Sequence, residues 1–182
     1  MSNVVEQQQA TGTWVADPVH SSVGFEVRHM VVATFRGGFG EYAATLDYES
    51  GEPRLVGTVR TASVEVRDEN LAAHLQSPEF FDSESHPELR FASTAVRGDG
   101  DDVVVEGDLT IKGVTRPVEA RGRITGPAED AYGRSRIGVQ LTALVDRTAF
   151  GLDWNQPLPK GGVALANDVR LVVDLSLVRD GE

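Results

Sequence analysis

The chain has 182 residues, with 28 Asp and Glu against 17 Lys and Arg and a net charge of −11; that is one domain's length, enough to bury a core without covalent staples. It contains no cysteine, which excludes disulfides, thiolate nucleophiles and Cys-ligated zinc. An acidic surface repels phosphate backbones, which argues against nucleic acid as a partner, and it disfavours anionic bilayers except at a local basic patch.

Residues 1–12 carry neither the basic nor the apolar region of a secretion signal, and they read as a disordered tail before a single domain over 13–179. No run approaches the roughly 18 apolar residues of a membrane span, so the expected protein is soluble and cytoplasmic. Residues 13–16 form a short first strand. Residues 22–31 alternate, which in a strand puts Val23, Phe25, Val27, His29 and Val31 on one face and Ser22, Glu26 and Arg28 on the other. The glycine-rich stretch from Phe35 to Glu41 reads as a turn or bulge. Residues 40–48 make a weaker strand that buries Tyr42, Ala44, Leu46 and Tyr48. From Arg54 the phase changes: Leu55, Gly57 and Val59 share one parity, Ala62, Val64 and Val66 the other, which one extra residue near Thr61 explains as a β-bulge.

Residues 68–76 break the pattern, with Leu71, His74 and Leu75 at helical spacing and Asp68 and Glu69 at the start. They predict one short helix, followed by a loop to Pro87. Strands resume over 89–96, with Leu89 and Phe91 inward. They continue with Val103, Val105, Gly107, Leu109 and Ile111, then with Val118, Ala120, Gly122 and Ile124. Ile137, Val139, Leu141, Ala143 and Val145 make the next inward face; after an irregular stretch over 148–167, Val169, Leu171, Val173, Leu175 and Leu177 make the last. Turn chemistry at 50–53, 98–102, 112–114 and 125–133 separates these runs, and short connectors favour antiparallel neighbours. Eight or nine strands with one apolar face predict an all-β closed barrel or a sandwich; periodicity does not say whether a barrel is filled or hollow.

Few residues carry chemistry. The four histidines fall in no HxH or HExxH spacing. His29, on an apolar face, is either a hydrogen-bonded core residue, a contact to a ligand head group, or a metal ligand. His20, Ser21 and Ser22 are adjacent, so their side chains point apart and make no nucleophile–base pair. Neither glycine-rich stretch has phosphate-loop spacing. Phe80 and Phe81 either plug the barrel end or gate it for a lipid. Arg147 either pairs with an acidic neighbour or meets a polar head group at a cavity mouth. No metal or cofactor is implied, and the reading is a binding protein rather than an enzyme.

These segments together resemble the YceI-like family of polyisoprenoid-binding barrels. The resemblance rests on WVADPVHSSVGFEVRHM (14–30), FRGGF (35–39), NLAAHLQSPEFFD (70–82), HPELRFAS (86–93), GDLTIKGVTRPV (107–118) and DRTAFGL (146–152), in the family's order. It implies an extended eight-stranded antiparallel lipocalin-like barrel with one short helix. It also implies a polyisoprenoid lipid or isoprenoid quinone in the cavity, a homodimer, transient membrane contact, and no catalytic residues. The inward positions expected to touch ligand are Phe25, Val27, His29, Phe80, Phe81, Phe91, Leu109, Ile111, Ile137, Val139, Leu141, Arg147, Leu171 and Val173. Competing readings are an enzyme for a small isoprenoid-like substrate and a filled barrel with a structural or stress role. One isoprene unit is worth roughly 3–4 kcal/mol against water, and eight would exceed the ceiling of about 20 kcal/mol for non-covalent binding. The competing state for a bound chain is therefore the bilayer, and net transfer lies near balance, as suits a carrier or store.

Overall fold

The computed structural model describes residues 10–99 and 102–182. Its strands are β1 (Thr13–Ala16), β2 (Ser22–His29), β3 (Ala33–Phe39), β4 (Tyr42–Asp47), β5 (Arg54–Arg60), β6 (Val64–Glu65), β7 (Glu88–Asp99), β8 (Asp102–Ile111), β9 (Val114–Glu129), β10 (Ser135–Asp146) and β11 (Leu165–Arg179). The helix α1 (Glu69–Gln76) lies between β6 and β7. Every pairing is antiparallel, in the order β1-β4-β5-β7-β8-β9-β10-β11, and β1 closes the ring by pairing with both β4 and β11. Farther along, β11 hands over to β2, which continues to β3 and β6. Because β1 and β2, β3 and β4, and β5 and β6 are consecutive halves of three kinked strands, the barrel has eight long staves. With 15 residues in β11, a stave runs roughly 50 Å before tilt, so the barrel is extended. Of the expected tail, residues 1–9 lie outside the described residues, whereas Ala10 is buried against Trp14.

The kinks correct three expectations. The phase change near Thr61 is not a bulge: residues Thr61–Ser63 make a turn of 3-10 helix. Buried Thr61 is held by Pro87 O (2.9 Å to its N–H) and His86 O (3.0 Å to its hydroxyl). The turn moves the chain from β7 to β3, with Gly40 N–H donating to Ser63 O at 2.9 Å. The glycine-rich stretch 35–41 is mostly strand β3 rather than a turn. A Cβ on Gly37 would lie 2.4 Å from Phe25 Cζ, so this glycine seats a ring from the neighbouring strand. Gly107 seats Phe91 in the same way, at 2.5 Å. Val31 does not face inward. Met30 and Val31 take φ of +50° and +67° in the turn between β2 and β3, and Val31 is exposed.

The expected turn at 125–133 is also shorter. β9 runs through Glu129, and Asp130 makes the turn by accepting from the N–H groups of Tyr132 (2.9 Å) and Arg134 (3.1 Å). The expected turn at 98–102 lies partly outside the described residues. Asp130 joins an ion network that ties this turn to the kink between β1 and β2. Arg136 donates to Asp130 at 2.7 Å, to Asp17 at 3.0 Å and to Ser176 at 2.9 Å. The Asp17 carboxyl is lowered to about 2, first by its hydrogen bond with His20 and then by Arg136. Asp130 is held well below the ordinary carboxylate range, first by Arg136. A carboxyl whose folded pKa lies below its unfolded value adds stability above the unfolded value and loses it as pH falls through the folded one. Stability should therefore drop between about pH 4 and pH 2. Arg136→Met should cost roughly 2 kcal/mol at neutral pH and flatten that acid limb, as read by denaturant melts at several pH values.

Candidate ligand-binding site

The interior divides into a filled end and a hollow end. At the filled end Trp14 is 0% exposed among Leu46, Ile137, Val139 and Leu177. Its indole N–H donates to Ala10 O at 2.8 Å, and the Arg179 guanidinium lies 4.6 Å from its ring centre. Beyond this plug lies a lobe of about 150 Å³ lined by Val23, Phe91, Leu109, Leu141, Leu171 and Val173. A second lobe of about 260 Å³ follows, lined by Phe25, Val27, His29, Phe80, Phe81, Ile111, Arg147, Trp154 and again Leu171. Phe39 and Leu89 also border both lobes. Together the lobes reach the range of roughly 300–1,000 Å³ typical of small-molecule sites.

The hollow end is capped by aromatic side chains. Asp68 caps α1 by accepting from Leu71 N–H at 2.8 Å, which turns Leu71 and Leu75 toward the barrel. Phe81 N–H donates to Leu75 O at 2.9 Å, folding the post-helical loop back so that Phe80 and Phe81 are buried. Phe81 meets Phe25 and Phe39 at ring separations of 6.4 and 5.6 Å. Phe80 meets Trp154 at 5.5 Å, and His74 packs edge-on against both. The rim beside this cap is formed by His29, Met30 and Gln156.

The structure thus gathers twelve of the expected contact positions around the two lobes and leaves two out. Ile137 and Val139 sit in the filled end and border neither lobe. His29 is exposed on the rim rather than held in the core. Arg147 is 6% exposed and makes no ion pair among the described residues. It instead donates to three main-chain carbonyls: Ala166 O at 2.9 Å, Leu152 O at 2.6 Å and Trp154 O at 2.9 Å. Burial pushes its guanidinium below the usual value, opposed by Asp146 and Asp153. Val23, Leu71, Leu75, Leu89 and Trp154 line the lobes but were not among the expected contacts. The helical spacing of Leu71 and Leu75 was a usable signal; Trp154, in an irregular stretch, offered none. Among the described residues no cluster of His, Asp and Glu is placed to hold a metal, and no helix is long and apolar enough to cross a membrane.

The outer wall carries a hollow as well. β9 and β10 pair no farther than Ala120 opposite Ala143, although β9 extends back to Val114 and β10 on to Asp146. A groove of about 670 Å³ lies over this seam, flanked by Arg116, Arg121 and Arg170.

The model of the YceI-like domain matches residues 14–177, nearly the whole described barrel. The chain belongs to the YceI-like family. A UPF0312 protein of Pectobacterium atrosepticum is 29% identical over 163 residues, covering 88% of this chain and 82% of that one. Among solved structures, BcnA of Burkholderia cenocepacia superposes with a TM-score of 0.76 at 20% identity, over 88% of this chain and 98% of that one. A polyisoprenoid binding domain from Saccharophagus degradans superposes with a TM-score of 0.64 at 14% identity, over 93% and 99%. At these identities the structural likeness establishes the barrel. The YceI-like barrel of this chain is therefore a closed, eight-staved one, with one α-helix among the described residues, at its hollow end.

Proposed function

We propose that the protein holds one long-chain isoprenoid lipid, a polyprenyl chain or an isoprenoid quinone, inside the barrel as a carrier or store. The observation that carries this reading is the two-lobed apolar cavity, sealed at one end by Trp14 and rimmed at the other by His29 and Met30. The Saccharophagus degradans domain, with the same barrel, is a polyisoprenoid binder, which supports the ligand class. The lobes are lined almost wholly by apolar side chains. That favours a binder over an enzyme. Organic extraction of the purified protein should release a prenyl lipid, and added polyprenyl chains should raise the melting temperature of extracted protein. Repeated extraction without lipid, combined with an unshifted melting temperature, would sink the proposal.

Exchange with a bilayer needs a contact surface at the rim. The turn at residues 30–32 supplies one: Met30, Val31 and Val32 are 42%, 64% and 82% exposed. Val31 holds φ at +67°, a left-handed conformation that costs a β-branched residue on the order of 1–2 kcal/mol. An apolar, strained tip beside the cavity rim fits a segment that inserts among lipids. Val31→Asn should stabilise the fold by about 1 kcal/mol, because Asn tolerates this conformation. Combined with Val32→Ser it should slow lipid transfer between vesicles while leaving loading from detergent intact. Unchanged transfer rates would remove the tip from the account.

A further inference from the structure

The groove over the β9–β10 seam lies on the outer wall, yet inward-facing side chains line it. Val118 on β9, and Ala143 and Val145 on β10, belong to the inner face by alternation. Val118 and Ala143 also border the smaller lobe, and Val145 and Phe150 border the larger one. The partition between groove and cavity is therefore a single layer of side chains. It is shut in this structure, with Ala143, Val145 and Phe150 buried.

The backbone explains why the wall thins here. Past Ala120 opposite Ala143, no ladder joins the two strands. Each lip is held from its far side: β9 stays paired with β8 to Val114, and β10 with β11 to Asp146. Pro117, on the β9 lip, has no N–H to give, and proline is tolerated in a sheet where a ladder ends. Parting a paired seam costs main-chain hydrogen bonds; parting this one moves side chains only. Phe150 is carried by the 3-10 turn (Arg147–Phe150) rather than by a strand, so it can withdraw without disturbing a ladder. Outside the partition the apolar surface continues. Leu144 is 65% exposed on the outward face, and Pro117 and Ala149 line the groove beside it. The flanking arginines Arg116, Arg121 and Arg170 offer apolar stems there while their charged heads can stay in water.

We propose that the β9–β10 seam is a side entrance to the cavity, and that the groove over it is a second site, where an apolar lipid chain docks before it passes inward between Val118, Val145 and Phe150. The inference rests on the cavity being a lipid site and adds the route by which it fills. A chain entering end-on must thread past the cap of Phe80, Phe81 and Trp154, whose rings pack on one another and on Phe25 and Phe39. A chain entering sideways meets one layer of side chains and lies along the cavity as it enters. The tip at residues 30–32 then seats the protein on a bilayer, and the seam admits the chain.

The test is a reversible clamp on the seam. The chain has no cysteine, so Glu119→Cys with Leu144→Cys gives two unique thiols, both at exposed positions, one on each lip. A bismaleimide with a reducible disulfide spacer joins them. Arg121→Cys with Thr142→Cys, clamped in the same way, is the control, because these residues are already partners in the ladder. Radiolabelled geranylgeraniol is loaded from detergent before clamping, and its release into phosphatidylcholine vesicles is followed by sedimentation. The seam clamp should slow release at least about ten-fold, reduction of the spacer should restore it, and the control clamp should leave it unchanged. Equal release from clamped and unclamped seam would overturn the entrance while leaving the lipid cavity standing, most directly if the tip variants slow release in the same assay. Slowing by both clamps alike would also overturn it. Failure of every form to load geranylgeraniol would overturn the cavity reading, and the entrance with it.

Discussion

Trp14→Ala should destabilise the protein by about 3–5 kcal/mol, the range for removing a fully buried aromatic side chain from a packed site. Trp14 is 0% exposed and lies where the ring of strands closes, paired with Leu46 on β4 and Arg179 on β11. Its removal leaves a void among Ile137, Val139 and Leu177, orphans Ala10 O, and takes the ring from under the Arg179 guanidinium. Those neighbours, apart from Ala10, belong to β4, β10 and β11, whose backbones are fixed by hydrogen bonds, so the site cannot collapse to fill the space. The chain has two tryptophans, so the variant keeps Trp154 as a fluorescent reporter at the hollow end. A denaturant melt showing a loss below about 1.5 kcal/mol would contradict a tightly packed closure.

Leu171→Trp should reduce lipid occupancy at least about ten-fold, a change of about 1.4 kcal/mol or more, with the fold intact. Leu171 lies on β11 opposite Phe25 and Ala143 and borders both lobes. A larger ring there has space to occupy, so it fills the cavity and divides it. At a packed position the same change overpacks, at a cost of typically 1–3 kcal/mol. Val139→Trp is therefore the contrasting control: Val139 is fully buried in the filled end, and its enlargement should lower stability. Both variants are read by retained lipid and by melting temperature. Equal lipid content in Leu171→Trp and wild type would mean that the ligand does not pass this point.

Val139 and Leu141 also show how far the sequence could be read. They are two residues apart on one strand and share a face, which alternation identifies correctly. One is in solid core and the other lines a hollow. Periodicity reports the face of a sheet but not the depth along a barrel, which depends on what the opposite wall contributes. The helix was legible for a local reason: Asp68 caps it and the apolar spacing follows. β3 was not, because glycine in a sequence signals a turn as readily as a seat for a ring. Gly37 and Gly107 take their meaning from Phe25 and Phe91 across the strand. The 3-10 turn at Thr61 was hidden similarly, since the partners that hold it are 25 or 26 residues away, at His86 and Pro87. Arg147 was singled out from sequence, but its state was not foreseeable. Its partners are main-chain carbonyls, two in a segment without regular structure and one at the start of β11, rather than an acidic side chain.

The central claim is that the barrel encloses one lipid chain. Native mass spectrometry of the full chain, before and after incubation with vesicles containing polyprenyl lipid, tests it most directly. The account predicts one lipid bound per chain, with bound masses separated by single isoprene units and with adducts lost in Leu171→Trp. The same spectrum shows whether two chains pair. A bare chain in both samples would contradict the account.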